Sequence, residues 1–160
     1  SVIPFFMEQS QKGKLSITDP EMTRFNITLN ESVSMVLFAL KNNLGGEIFV
    51  PKIPSYKILE LAKAIGPKCK LEFIGIRQGE KIHEEMITSS DSFSTIDIGK
   101  YFIILPANKR KFLQYYGKKF RLKKVKKGFS YNSGINKVFL SKTDLRQLIK
   151  INIDKNFTPF

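Results

Sequence analysis

Apolar residues recur with helical spacing after Thr28. Thr28 and Glu31 have the spacing of a capping box, in which two side chains bind the backbone of the first helical turn. Apolar positions then follow three and four residues apart until Gly45 and Gly46, which favour the end of a helix. We predict that this helix buries one face, which consists of Val33, Val36, Leu37 and Leu40.

The same kind of pattern predicts three further helices. The first is short, begins near Pro4 and ends before Gly13. The second begins at Pro54-Ser55, and the third follows Ser141 and Asp144, which again have cap spacing. Their apolar residues are Ile3, Phe5 and Phe6 in the first, Ile58, Leu61, Ala62 and Ile65 in the second, and Leu145, Leu148 and Ile149 in the third.

Short apolar and β-branched runs predict strands between these helices. The predicted strands are residues 47–50, 71–76 and 101–105, and residues 16–25 are expected to be a loop with extended pieces. Alternating strands and helices indicate an α/β or α+β domain. A chain of 160 residues fits one domain, so we predict a folded lobe over residues 1–152 and a disordered tail over 153–160.

Composition narrows the class of protein. The chain is 42% hydrophobic with 14 Phe, and its longest apolar runs are too short to cross a bilayer. We see no signal peptide and expect no secretion. The single cysteine, Cys69, has no partner for a disulfide or a zinc site. These features predict a globular protein of the reducing cytoplasm without a membrane span or a metal.

The net charge of +13 favours contact with anionic partners. Much of the excess lies between Lys109 and Lys127, whereas the first hundred residues hold nearly all the acidic groups. Such a run is usually a solvated face. Aromatic residues are interleaved with the lysines, as in proteins that bind single strands, but they more often belong to a core, so we expect no nucleic-acid partner.

Sequence motifs of common catalytic and cofactor sites are absent. The sequence contains no G-x-G-x-x-G, no Walker A loop and no zinc-protease motif. His83, the only histidine, precedes two acids, and we interpret it as a structural hydrogen-bonding residue on a short helix. Tyr115 and Lys119 have the Tyr-x-x-x-Lys spacing of short-chain dehydrogenases, which we interpret as a chance match in a lysine-rich segment.

Two arginines lie in segments predicted to be loops. Arg24 ends the run TDPEMTR, and Arg77 lies in GIRQGEK. A guanidinium group chelates phosphate oxygens and stays charged, so two converging arginines would suit a nucleoside diphosphate. Glu80 could accept hydrogen bonds from ribose hydroxyls. Spacing alone favours the simpler interpretation, in which both arginines are surface or ion-pair residues.

Several segments together resemble one family. They are SVIPFF at residues 1–6, ITD at 17–19, MTRF at 22–25, GEIFVPKIPS at 46–55, GIR at 75–77 with GEK at 79–81, HEEMI at 83–87 and GFSYNS at 128–133. The chain resembles the inverting UDP-N-acetylglucosamine 4,6-dehydratases, which are extended short-chain dehydrogenases. Asn26 and Gln78 depart from the family, which usually has Trp and Pro there.

The resemblance implies a fold, a ligand and site residues. The fold is a two-layer α/β lobe, the C-terminal substrate-binding part of an extended short-chain dehydrogenase, with the Rossmann half absent. The implied ligand is UDP-N-acetylglucosamine or a related UDP-sugar. Arg24 and Arg77 would bind the diphosphate and Glu80 would lie near the ribose. The uridine and sugar pocket would be lined by Val2, Ile3, Pro4, Ile17 and Thr18.

The resemblance also implies what this chain does not do by itself. In the family, NADP oxidises the sugar at C4, water is eliminated across C5 and C6, and hydride returns to C6. The cofactor and catalytic residues precede the SVIPFF motif, so we expect a chain that is not catalytic alone and binds no NADP alone. Its partners would be a Rossmann half and further copies in a homo-oligomer. The alternative is a non-catalytic module that binds a UDP-sugar or a polyanion.

Overall fold

A computed structural model describes residues 2–160, so that Ser1 of the SVIPFF motif lies outside the described residues. The described part contains both helices and short strands. The helices are α1 (Val2–Ser10), α2 (Leu29–Asn42), α3 (Ile58–Ile65), α4 (Lys109–Lys119) and α5 (Lys142–Asn152). The strands are β1 (Lys14–Ile17), β2 (Thr23–Phe25), β3 (Ile48–Pro51), β4 (Ser55–Lys57), β5 (Lys70–Phe73), β6 (Glu85–Ile87), β7 (Thr95–Asp97), β8 (Tyr101–Ile104), β9 (Lys123–Lys124) and β10 (Tyr131–Asn132).

The chain divides into two compact units, each built from separated stretches of sequence. The first unit combines the chain up to Asn26 with residues 54–84 and 133–160. The second unit combines residues 27–53 and 85–132. The mixed α/β class that we predict from the alternation of elements is therefore confirmed. The predicted division at residue 152 stays a prediction.

The first unit surrounds two small sheets with three helices. β1 and β5 form a parallel pair, and β2 and β4 form an antiparallel pair. The largest packing partners among its helices are α3 and α5, while α1 contacts α3 and β1. Its core consists of Phe6, Leu15, Ile17, Met22, Tyr56, Ile58, Leu61, Ala62, Ala64, Ile65, Leu145, Ile149 and Phe157.

The second unit is built on a four-stranded antiparallel sheet. Its strand order is β3-β8-β7-β9, so β3 and β9 are the end strands, and β6 pairs separately with β10. The core between this sheet and its helices consists of Ile96, Ile98, Tyr101, Ile103, Leu105, Phe112 and Tyr116. Within residues 2–160, no helix has the length and apolar character needed to cross a membrane.

The predicted helices all form, although α3 begins at Ile58 and not at Pro54-Ser55, because Ser55–Lys57 form β4. Helix α2 buries a different face from the one expected. Thr28 and Glu31 do form the capping box. The four apolar residues predicted to be buried are exposed instead, whereas Met35 and Phe38 pack against the second core and Asn42 is buried. The spacing of apolar residues predicts the helix correctly. Because α2 carries apolar residues on two sides, however, that spacing cannot decide which side faces the sheet.

Two further segments differ from the sequence-based expectations. The lysine-rich segment, for which no element was predicted, contains α4 and β9, because Phe112 and Tyr116 anchor α4 in the second core. His83 was placed on a short helix, but it lies in a bend before β6.

Residues 153–160, which were predicted as a tail, include two contacts with the first unit. Phe157 is buried in the first core, and the Phe160 backbone N–H donates to the Ile65 carbonyl.

Candidate functional site

A cavity of about 500 Å³ opens in the first unit, within the size range of small-molecule sites. Aromatic and aliphatic side chains form much of its wall, and two arginines and two glutamates supply the charges. The lining residues are Val2, Phe5, Phe6, Ser16, Thr18, Met22, Arg24, Phe25, Tyr56, Ile58, Ile74, Arg77, Glu80 and Glu84. This mixture suits a ligand with both apolar and ionised parts.

The parallel pairing of β1 and β5 explains why distant segments meet at the cavity. The carboxyl ends of parallel strands lie at the same edge, which is where open α/β sheets bind ligands. Thr18 follows β1, and Ile74 follows β5, where its backbone N–H donates to the Ile17 carbonyl at 2.9 Å. The loop after β5 then carries Arg77 and Glu80 to the cavity.

Arg24 lies on β2 and is held by the protein on several sides. Its Nη1 donates to the Thr23 carbonyl at 2.7 Å and to the Ile82 carbonyl at 3.1 Å. Its Nη2 lies 3.9 Å from Glu80 Oε1, and its Nε lies 3.7 Å from Glu84 Oε1. Both ion pairs are longer than a charge-assisted hydrogen bond. The two glutamates therefore orient the guanidinium but leave it able to donate hydrogen bonds to a ligand.

Arg77 contrasts with Arg24 because it lies in an exposed turn. The Glu80 backbone N–H donates to the Arg77 carbonyl at 3.0 Å, and the Arg77 backbone N–H lies 3.3 Å from Glu80 Oε2. Gly79 closes the turn with a φ of +79°, a conformation that favours glycine. Over residues 2–160, the Arg77 guanidinium forms no ion pair. It is therefore a cation available to an anionic ligand.

Five of the eight residues predicted to bind substrate line the cavity. Those five are Val2, Thr18, Arg24, Arg77 and Glu80. The structure places the other three elsewhere: Ile17 is fully buried in the first core, Ile3 packs against that core, and Pro4 is exposed on α1. Alternation along β1 explains the difference at Ile17, because Ser16 and Thr18 face the cavity while Leu15 and Ile17 face the core. The binding roles themselves stay predictions.

Tyr56 and Glu84 were not predicted from the sequence and belong to the same cavity. Tyr56 lies on β4, whose pairing with β2 sets it opposite Arg24. Burial and the nearby Glu84 carboxylate raise the pKa of Tyr56 to about 12, although Arg24 acts in the opposite direction. The phenol therefore stays protonated near neutral pH and can donate a hydrogen bond. Glu84 Oε2 accepts the Phe25 N–H at 2.7 Å, which fixes its carboxylate beside Arg24.

His83 takes part in a hydrogen-bonded network outside the cavity lining. Its Nδ1 lies 2.8 Å from the Thr23 hydroxyl, which lies 2.7 Å from the Ser133 hydroxyl. The Ser133 hydroxyl also accepts the Glu84 N–H at 2.9 Å. A Cβ on Gly134 would lie 2.7 Å from the imidazole, so the ring is closely packed. This network fits the interpretation of His83 as structural, and it positions Glu84.

The other candidate groups lie outside the cavity. Tyr115 and Lys119 are on α4 in the second unit, where the ammonium donates to the phenol. Phe112 and Tyr116 are buried there, and Tyr115 and Phe120 pack against the second core, so none of these aromatics forms an exposed stacking platform. No cluster of three or more metal-binding side chains occurs in the part of the chain that the structure describes.

The fold and the cavity define a mixed α/β protein with a charged, ligand-sized site at the ends of parallel strands. Comparison with known proteins gives the family. Residues 1–106 match the polysaccharide biosynthesis protein family, and the chain belongs to it.

Relatives whose names state an activity agree with the resemblance that the sequence motifs indicate. A UDP-N-acetylglucosamine 4,6-dehydratase (inverting) of Campylobacter jejuni is 44% identical over 157 residues, covering 93% of this chain and 46% of that protein. A UDP-glucose 4-epimerase of Rickettsia canadensis is 46% identical over 109 residues, covering 65% of this chain and 32% of that protein. The predicted resemblance to the inverting dehydratases is thereby confirmed.

A solved structure shares the fold. The X-ray structure of Pen from Bacillus thuringiensis matches with a TM-score of 0.77 and 32% identity, covering 93% of this chain and 45% of that one. The chain thus spans about half the length of the relatives that it matches most fully.

Proposed function

We propose that this chain is the UDP-sugar-binding part of an NADP-dependent, C5-inverting UDP-N-acetylglucosamine 4,6-dehydratase, a lyase of nucleotide-sugar and surface-glycan biosynthesis in the cytoplasm. The observation that carries the proposal is the convergence of Arg24 and Arg77 on one cavity with Glu80 between them. The pairing of β1 with β5 and of β2 with β4 creates that convergence from segments far apart in sequence.

The chemistry of the cavity suits a nucleoside diphosphate linked to a sugar. Arg77 would donate to the diphosphate from its exposed turn, and Arg24 would do so from β2, where its ion pairs already orient it. Glu80, which also lines the cavity, would accept hydrogen bonds from ribose hydroxyls. The phenol of Tyr56 and the aromatic wall of Phe5 and Phe25 would contact the sugar and the base.

The two kinds of relative share the UDP group of their named substrates. One is named as a dehydratase and the other as an epimerase, so a common site for UDP is supported better than either reaction. The residues present do not fit a dinucleotide, since no glycine-rich strand-to-helix turn is in the sequence. We therefore assign this chain the binding and orientation of the substrate, and not the binding of NADP.

Calorimetric titration of the chain with UDP and with UDP-N-acetylglucosamine tests the proposal. We expect saturable binding that weakens at least about tenfold in Arg77→Ala, because one charge-assisted contact with phosphate is lost. Arg24→Ala should weaken binding as well. Arg110→Ala, an exposed arginine on α4 in the second unit, is the matched control and should bind as the parent does.

Circular dichroism of each variant keeps the test interpretable, because Arg24 also bonds to two backbone carbonyls. No saturable heat from a folded parent chain would contradict the proposal. Equal binding by the parent and by Arg77→Ala would contradict the assignment of this cavity.

A second candidate function is the binding of an anionic polymer. It is favoured by residues 109–127, which contain ten Lys or Arg and no acid. Most of these cations are exposed on α4 and on β9 at the end of the second unit's sheet. Because the neighbouring aromatics are packed in the core, such binding would be electrostatic and would not read bases.

A further inference from the structure

Helix α2 carries apolar side chains on two opposite sides. Met35 and Phe38 pack against the core of the second unit, and Phe38 stacks on Tyr101 with a centroid distance of 4.5 Å. A second stripe is exposed to solvent, with exposed fractions from 49% to 78%. We call it the outer face of α2, and it consists of Leu29, Val33, Val36, Leu37 and Leu40.

The outer face is continuous, and its neighbourhood is apolar as well. At 100° per residue its five positions fall within an arc of about 100°, which makes one stripe along the helix. Beside it lies a groove of about 280 Å³, lined by Val36, Leu40 and Phe49 among others. Ile48, on the end strand β3, is also exposed, with 59% of its surface accessible. An apolar patch of this kind on a folded protein marks an interaction site.

A helix that is apolar on two sides belongs in the middle of a layered structure. One layer, the sheet of the second unit, is present. Among residues 29–42 the charged side chains are Glu31 and Lys41, which lie at the two ends of α2, so the middle of the outer face presents no charge to a partner. The missing layer should therefore be an apolar helix or sheet surface and not an ionic one.

We propose that the outer face of α2 is the docking surface for the part of a dehydratase-type protein that this chain does not cover. The argument is one of length: 93% of this chain matches only 46% of the Campylobacter relative and 45% of the Bacillus structure. More than half of each relative therefore lies outside the matched region, which is enough chain to supply an apolar surface for the outer face. The inference rests on the proposed function, and it names the surface of this chain where the uncovered half of such a protein would bind.

Co-expression tests this inference. The whole chain, carrying an affinity tag, is produced together with the uncovered half of the Campylobacter relative, and the purified material is analysed by size-exclusion chromatography with light scattering. We expect a 1:1 complex. Leu37→Glu should reduce recovery of the partner at least about tenfold, because it puts a charge in the centre of an apolar interface. Ile151→Glu, a similarly exposed residue on α5, should leave recovery unchanged.

Three outcomes would overturn the inference. They are recovery of the tagged chain without the partner, a complex that survives Leu37→Glu, and a dimer of the chain alone that Leu37→Glu dissociates, which would make a second copy the occupant. Thermal unfolding of each variant verifies that the chain is folded. Arg77→Ala should still form the complex while losing UDP affinity, so that a failure of docking and a failure of ligand binding are distinguishable.

Discussion

Of the two arginines that line the cavity, Arg24 makes more hydrogen bonds and ion pairs with the rest of the protein. Its guanidinium lies within 4 Å of both Glu80 and Glu84, so a phosphate would compete with two carboxylates for it. Glu84→Gln should therefore tighten UDP binding severalfold, because it removes a negative charge beside Arg24. The amide oxygen that remains can still accept the Phe25 N–H that Glu84 accepts now.

Isothermal titration of Glu84→Gln against the parent checks this expectation. Glu85→Gln is the control, since Glu85 is the next residue, lies outside the cavity lining and belongs to the second unit. Weaker binding by Glu84→Gln would show instead that Glu84 contacts the ligand directly.

The sequence identified cavity residues where their chemistry is distinctive. Arg24, Arg77 and Glu80 stood out by charge and motif, and all three line the cavity. Tyr56 did not stand out, because its place in the cavity comes from the pairing of β2 with β4, a contact across more than thirty residues. Ile17 was predicted to line the pocket but is buried in the core, for a related reason. The two faces of a strand can be distinguished only after the strand itself has been located.

Helix α4 is attached to the second unit by a hydrogen bond as well as by apolar contacts. The Tyr116 hydroxyl donates to Glu47 Oε1, which also accepts the Leu44 N–H at 2.6 Å. Tyr116→Phe should lower the free energy of unfolding by about 2 kcal/mol, because a half-buried carboxylate loses a donor. Tyr115→Phe on the same helix is the control. Urea denaturation at neutral pH compares the two.

The same contact predicts how stability depends on pH. Burial by itself raises the pKa of Glu47, but hydrogen bonds from Tyr116 and from backbone N–H groups outweigh it, and the pKa is lowered. A lowered pKa in the folded state contributes stability above the unfolded value, and that contribution is lost as the pH falls through the folded value. Tyr116→Phe should therefore lose less stability than the parent between neutral and acid pH. An equal loss would contradict this role for Glu47.

The two helices with capping boxes were predictable from the sequence, whereas α4, which depends on tertiary contacts, was not. α2 and α5 begin at Thr28 and Ser141, where both capping boxes form as their spacing indicates. α4 has no side-chain cap and is rich in lysine, so its formation depends on Phe112 and Tyr116 reaching a core that local sequence does not reveal.

Over the whole molecule, charge distinguishes the two candidate functions. A diphosphate in one cavity displaces few counterions, whereas an anionic polymer along residues 109–127 would displace many. We expect UDP affinity to change little between about 50 and 200 mM salt, while any affinity for poly(U) falls steeply. Lys123→Gln with Lys124→Gln on β9 should weaken poly(U) binding and leave UDP binding unchanged. A steep salt dependence for UDP would contradict binding at a single diphosphate site.

The interleaved arrangement of the two units affects how the chain folds during synthesis. The second unit is complete once residue 132 has left the ribosome. The first unit contains Phe6 near the beginning of the chain, yet its core also needs Leu145, Ile149 and Phe157. The early apolar residues of the first unit therefore lack part of their core until α5 emerges. Because domains generally fold as units, we expect the nascent chain to expose apolar surface of the kind that chaperones bind during this interval.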